Sequence, residues 1–225
     1  EVITTSPQHH ADLFHATCGG MGLTGVIISA TIQLLPIKSS LINQKTIKAD
    51  CLEAACEAFD SNSSSTYSVA WIDCLSKGKS LGRSVLMLGE HAEQGELEID
   101  MRQKVSVPFA APSTLLNSLT MKAFNTAYWH KSKNNINQTI SLMPFFYQLD
   151  AVGGWNKLYG KKGFLQFQCV LPKTDGVANM RKLLTEISNS GVGSFLAVLK
   201  QFGTANENFL SFPTEGYTLA LDFKL

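Results

Sequence analysis

Residues 163–203, GFLQFQCVLPKTDGVANMRKLLTEISNSGVGSFLAVLKQFG, place a helical pattern between two strand patterns. GFLQFQCVLP is short, apolar and ended by Pro172, which reads as a strand. In DGVANMRKLLTEISNSG, Val177, Met180, Leu183, Leu184 and Ile187 recur at three- and four-residue spacing, the signature of an amphipathic helix. SFLAVLKQFG returns to a strand pattern, and GYTLALDFKL at 216–225 adds another. The unit is β-α-β-β.

The same order occurs earlier: SLINQKTIKA at 40–49 as a strand, CLEAACEAFDS at 51–61 as a helix, then TYSVAWID at 66–73 and GRSVLMLGE at 82–90 as strands. Two such units predict an α+β fold, one mixed but largely antiparallel sheet with helices on one face. The other face is left free to cover something. Residues 92–150 between the units are less regular. VSVPFAAPST carries two prolines, and LLNSLTMKAFNTAYWHKSK is expected to be a helix with a basic last turn. Such an insertion serves as a lid or as an ordinary surface connection.

Near the start, GMGLTG at 20–25 spells G-x-G-x-x-G. A dinucleotide turn of that spelling needs a strand before it and a helix after it, because the helix N-terminus receives the pyrophosphate. Here HHADLFHAT reads as a helix and GVIISATIQLLPI as a strand, the reverse order. The glycines are therefore expected to form a tight passage and not a phosphate cradle. EVITTSP reads as a strand already in progress and the chain stops in another, which predicts a piece of a longer protein.

With 44% apolar residues the chain has an ordinary core, and 19 basic against 18 acidic residues leave a net charge of +1 without a Lys/Arg run. That excludes the electrostatic footprint of a nucleic-acid binder and favours small-molecule partners. The cysteines, Cys18, Cys51, Cys56, Cys74 and Cys169, are scattered and lack metal spacing, so neither a disulfide framework nor a metal site is expected, and a reducing, cytoplasmic setting is. No run reaches the roughly 18 apolar residues of a membrane span. Membrane association through VSVPFAAPSTLLNSL is the weaker alternative to a mobile loop.

Strand alternation assigns faces. Phe164, Gln166 and Gln168 share one face of their strand; Leu196, Val198, Lys200 and Phe202 share one face of theirs. Tyr67, Val69 and Trp71 group in the same way, as do Thr218, Ala220 and Asp222. Two glutamines in so apolar a strand either face solvent or line a polar pocket, since burial without partners is costly. Lys200 between Val198 and Phe202 is either a snorkelling lysine or a desolvated one that polarises a substrate hydroxyl. Aromatics with amides, an amine and a hydroxyl suit a sugar. The five histidines have no metal or nucleophile spacing.

DLFHATCGGMGLTGVIISATIQLLP resembles the closing part of the FAD-binding domain of vanillyl-alcohol-oxidase-like (PCMH-type) flavoproteins. YSVAWID, LGRSVLMLGEH, FFYQLDAVGGWNKLYGKKGFLQFQCVLP, SFLAVLKQFG and LSFPTEGYTLALDF together resemble the decaprenylphosphoryl-β-D-ribose 2′-oxidase family, Phe145–Pro172 most specifically. The resemblance implies that residues 1–38 end an FAD-binding domain and that 39–225 form a substrate domain with an insertion at about 92–150. It implies FAD as cofactor, oxidation of a sugar hydroxyl by hydride transfer to flavin N5, a small or lipid-linked sugar substrate, and a separate NADH-dependent reductase as partner. It implies Lys200 as the active-site lysine, Gln166, Gln168, Trp71, Phe146, Leu196, Val198, Phe202, Thr218 and Ala220 as substrate contacts, and Gly20, Gly22, Gly25 and Ile27 as flavin contacts. Where the family has a phenol before LD, this chain has Phe146 followed by Tyr147, and Thr218 and Ala220 replace an Asn and a Cys. A piece lacking the rest of the flavin domain is expected to be inactive alone. An aldonolactone or alditol oxidase, and a non-catalytic α+β binding module, are the alternative readings.

Overall fold

In the computed structural model, which describes residues 1–101, 105–112 and 115–225, both β-α-β-β units form as expected. The first comprises β1 (Leu41–Ala49), α2 (Leu52–Ser61), β2 (Tyr67–Ile72) and β3 (Ser84–His91), preceded by a short α1 (Ala11–Thr17). After β4 (Val105–Ser106), α3 (Ser118–Lys131), β5 (Ile136–Ser141), α4 (Leu142–Phe146) and β6 (Val152–Gly153), the second unit comprises β7 (Phe164–Pro172), α5 (Gly176–Ser190), β8 (Val198–Phe202) and β9 (Gly216–Lys224).

One seven-stranded sheet runs β5-β1-β3-β2-β8-β9-β7, with every pairing antiparallel. In each unit the third strand lies between the first two. The second strands, β2 and β8, meet in the middle through Ala70↔Leu199 and Trp71↔Val198.

The unit helices share a face because their apolar stripes do. Leu52, Ala55, Cys56 and Phe59 of α2 and Met180 and Leu184 of α5 pack with Ala70, Ile72, Leu86, Leu88, Leu199, Leu219 and Leu221 in one core. Gly191, at φ +70°, ends α5 in the left-handed conformation that glycine tolerates.

The opposite face is not left wholly bare. α3 brings Trp129 against Trp71 and Val85, and α4 brings Phe145 against Ile42 and Met87, so the β1-β3-β2 half is covered; over β8, β9 and β7 the face leaves Lys200, Gln166 and Gln168 exposed and is closed at the Phe164 end by Tyr159. The start of α3 is fixed by a capping box: Asn117 Oδ1 accepts from the backbone N–H of Leu119 and Thr120, and Thr120 Oγ1 accepts from that of Asn117. β5, within the irregular insertion, adds an edge strand that the sequence pattern did not reveal.

Two strand expectations fail. EVITTSP forms only an isolated bridge, Ser6↔His9, and residues 25–37 have no strand pairing. A strand exists through a hydrogen-bonding neighbour, and among the described residues this β-branched segment has none.

Leu184, fully buried where α5 meets the sheet, tests this core. Leu184→Ala is expected to lower unfolding free energy by about 3 kcal/mol, measured from the urea midpoint at unchanged m-value; a loss below about 1 kcal/mol would contradict this packing.

Candidate active site

The pairing registers set the even-numbered residues of β7, β8 and β9 in rows across the open face. One row is Trp71, Val198, Ala220 and Gln168. The next holds Lys200 opposite Thr218 and Thr218 opposite Val170. Beyond it Phe202 pairs with Gly216, and on the other side Asp222 pairs with Gln166. Continuing the β2–β8 register sets Val69 beside Lys200 and Tyr67 beside Phe202. Phe146, at the end of α4, meets Tyr67 edge-on at 4.8 Å. The structure thus gathers Lys200, Gln166, Gln168, Trp71, Phe146, Val198, Phe202, Thr218 and Ala220 around one trough, with half-buried Leu196 just before β8.

The floor of this trough is fixed by hydrogen bonds. Gln168 Nε2 donates to Thr218 Oγ1 at 3.0 Å, and Gln166 Nε2 donates to Asp222 Oδ1 at 2.9 Å. Each glutamine is itself exposed, so its alignment costs little, while Thr218 and Asp222 are 1% and 5% exposed. Trp71 Nε1 donates to the Phe195 carbonyl at 3.1 Å, which fixes the indole. Lys200 is exposed: Val198 and Phe202 stand beside it without covering it, so the desolvated lysine considered from the sequence is not produced by its own strand.

Asp222 carries chemistry that spacing alone left without a role. Burial pushes its carboxyl above the usual carboxylate range, against the donation from Gln166, and no ion pair of the described residues involves it. On the same face, at the Phe164 and Asp222 end of the trough, Tyr159, 2% exposed, stacks on Phe164 at 4.5 Å and Phe195 at 5.4 Å. Its hydroxyl has no hydrogen-bond partner among the described residues, and burial together with the charge of Asp222 raises its pKa. The signal for Asp222 was an acid in the apolar alternation YTLALDF.

The glycine loop is held near the Lys200 end. His15 Nδ1 lies 3.0 Å from Asn208 Oδ1, and the Phe209 N–H donates to the His15 carbonyl; both partners belong to the connection leaving β8. Phe212 of that connection lies 6.1 Å from Phe202, ring to ring. Gly20 fits because a Cβ there would fall 2.2 Å from the Ala16 carbonyl oxygen. Gly22, at φ +74°, and Gly25, at φ +150°, have open space where a Cβ would sit. Ile27 is 66% exposed, and no hydrogen bond among the described residues ties Gly25 or Ile27 to the sheet.

Over 227 aligned residues, 96% of this chain and 49% of the relative, the sequence is 36% identical to decaprenylphosphoryl-beta-D-ribose oxidase of Mycolicibacterium smegmatis. This chain is similar to that oxidase over nearly its whole length. It is also 27% identical over 227 residues to a Streptomyces coelicolor protein named "Uncharacterized protein in mprA 5'region", covering 93% of this chain and 61% of that one. The chain thus spans about half of the oxidase's length, and the likeness to the oxidase runs through both β-α-β-β units. No protein-family model matches the chain.

Asp222 also makes a stability prediction. A carboxyl whose folded pKa lies above its unfolded value of about 3.9 binds protons more readily when folded, so its cost is complete above the folded pKa and vanishes below about pH 4. Asp222→Asn is therefore expected to raise the urea midpoint at pH 7 and to lose that advantage as pH falls towards 4. A variant less stable than wild type at pH 7 would contradict the buried, unpaired carboxyl.

Proposed function

We propose that the full-length protein is an FAD-dependent oxidase of a sugar CH–OH group, acting on a polyprenylphosphoryl ribose or a related sugar, and that the trough is its substrate floor. The observation that carries this reading is the row geometry: a lysine, two glutamines, a threonine and an aromatic wall converge on the one sheet face that α3 and α4 leave open. The likeness to an oxidase named for a decaprenylphosphoryl ribose supports the same substrate class.

The residues of the glycine passage fit a flavin. Backbone without side chains at Gly22 and Gly25, open on the side where a Cβ would project, allows a flat ring system to approach closely, with Ile27 exposed for apolar contact. Gly20 holds this passage against α1. When bound, the flavin supplies the hydride acceptor.

The remaining steps belong to the side chains. The sugar ring lies on Trp71 and Val198, its hydroxyls donating to the amide carbonyls of Gln166 and Gln168. Lys200 donates a hydrogen bond to the oxygen of the reacting carbinol and stabilises the negative charge that builds there as the hydroxyl proton departs, ahead of hydride loss from carbon. The hydroxyl proton leaves to solvent at the open side of the trough. Phe202 and Phe146 bound the site at the Lys200 end and limit water there. The product is a ketone, which an NADH-dependent reductase would consume.

Two measurements on the full-length protein test this. Purified with added FAD, it is expected to show flavin absorbance bands; their absence sinks the oxidase reading. Lys200→Met is expected to slow anaerobic single-turnover flavin reduction by a prenylphosphoryl ribose by roughly a hundredfold or more, and an unchanged rate would remove Lys200 from the chemistry.

A further inference from the structure

The mechanism above leaves the buried carboxyl of Asp222 unused. Among the described residues it is the sole acid that the pairing register places on the trough floor, and it stands where an unpaired carboxyl costs stability. Its position is over-determined. Its backbone N–H donates to Ser194 Oγ at 3.3 Å, Gln166 Nε2 holds one carboxyl oxygen at 2.9 Å, and the stacked ring of Tyr159 lies nearby. Ser194, itself 1% exposed, also accepts from the Leu196 N–H at 3.0 Å, so the same hydroxyl anchors both strands.

We propose that Asp222 is a substrate-binding carboxyl that accepts a hydrogen bond from a sugar hydroxyl at the end of the trough opposite Lys200. This rests on the reading of the trough as a sugar site. The neighbouring Gln166, Gln168 and Thr218 offer amides and a hydroxyl, groups that fit a polyol. An anionic phosphate is repelled from Asp222 and falls on the Lys200 side. Thr218, opposite Lys200, is four residues from Asp222 along β9, about 13 Å at the strand rise. A Lys200 side chain turned along β9 towards Asp222 would shorten that gap to the scale of one monosaccharide. Asp222 and Lys200 thereby fix which way round a sugar phosphate lies, and hence which hydroxyl meets Lys200.

Calorimetric titration of the full-length wild type and Asp222→Asn at pH 7 with ribose 1-phosphate and its 2-deoxy, 3-deoxy and 5-deoxy analogues tests this. Wild type is expected to bind ribose 1-phosphate, and the variant to bind it roughly tenfold more weakly, the loss of one hydrogen bond to a charged group. One deoxy analogue, lacking the hydroxyl that Asp222 holds, is expected to bind both proteins alike. Equal affinity of the two proteins for ribose 1-phosphate overturns the assignment. So does a loss of the same size for every ligand, which marks a structural effect, or no binding by wild type. An unfolding curve on the same samples reports whether the variant is folded. The outcome is independent of redox chemistry: sugar binding that depends on Asp222 without flavin reduction refutes the oxidase reading alone, and flavin reduction with Asp222-independent binding refutes this inference alone.

Discussion

The short pairing of β2 with β8 is the constraint on which the rest depends. Ala70↔Leu199 and Trp71↔Val198 are its register pairs, extended by the Ile72 N–H donating to the Ala197 carbonyl at 3.1 Å. Two further bonds close over the same line, from Trp71 Nε1 to the Phe195 carbonyl and from Cys74 Sγ to the Ser194 carbonyl at 3.4 Å. This seam joins four strands, β5-β1-β3-β2, to three, β8-β9-β7, in one sheet. It sets α2 and α5 side by side over a single core, and it delivers a tryptophan from the first unit into a row otherwise made by the second.

Two units of the same order end up chemically different because the insertion between them covers only one half of the opposite face. α3 is anchored there by a buried polar cluster: Asp73 pairs with Arg83 at 2.8 Å and accepts from Asn125 Nδ2 at 2.8 Å. Lys48 lies over the Trp129 ring at 4.2 Å, and its ammonium donates to the Trp129 carbonyl. Cation, acid and aromatic are thus consumed structurally on the covered half. On the open half Lys200 and the glutamines remain available to a ligand.

Much of this was legible because strand alternation is strictly periodic. Once GFLQFQCVL, SFLAVLKQF and GYTLALDF are strands, the shared face of Gln166, Lys200 and Thr218 follows from counting. What counting cannot supply is pairing. GVIISATIQLLPI has strand composition and makes no strand, because no strand of the described residues pairs with it. INQTIS makes the edge strand β5 with little apolar signal, because an edge strand needs only one partner, here β1. Asp222 was placed on the correct face and left without a role, since nothing in the sequence says that no cation of the described residues answers it. The membrane-association reading on 105–119 includes Ser113 and Thr114, which lie outside the described residues; no helix among the described residues is long and apolar enough to cross a membrane.

The two charged groups of the trough differ in kind, and the difference orders the site. Lys200 is exposed and long, so its charge is screened and its position adjustable; it acquires catalytic leverage only from what lies over it. Asp222 is short, buried and held through both its backbone and its side chain, so it cannot move to meet a ligand, and its unfavourable burial is a fixed cost of the fold. A rigid acceptor at one end and a mobile donor at the other suit a ligand that is first registered by a hydroxyl and then engaged at its reacting oxygen. The aromatic and amide row between them, Trp71 to Gln168, is the surface along which that registration has to be transmitted.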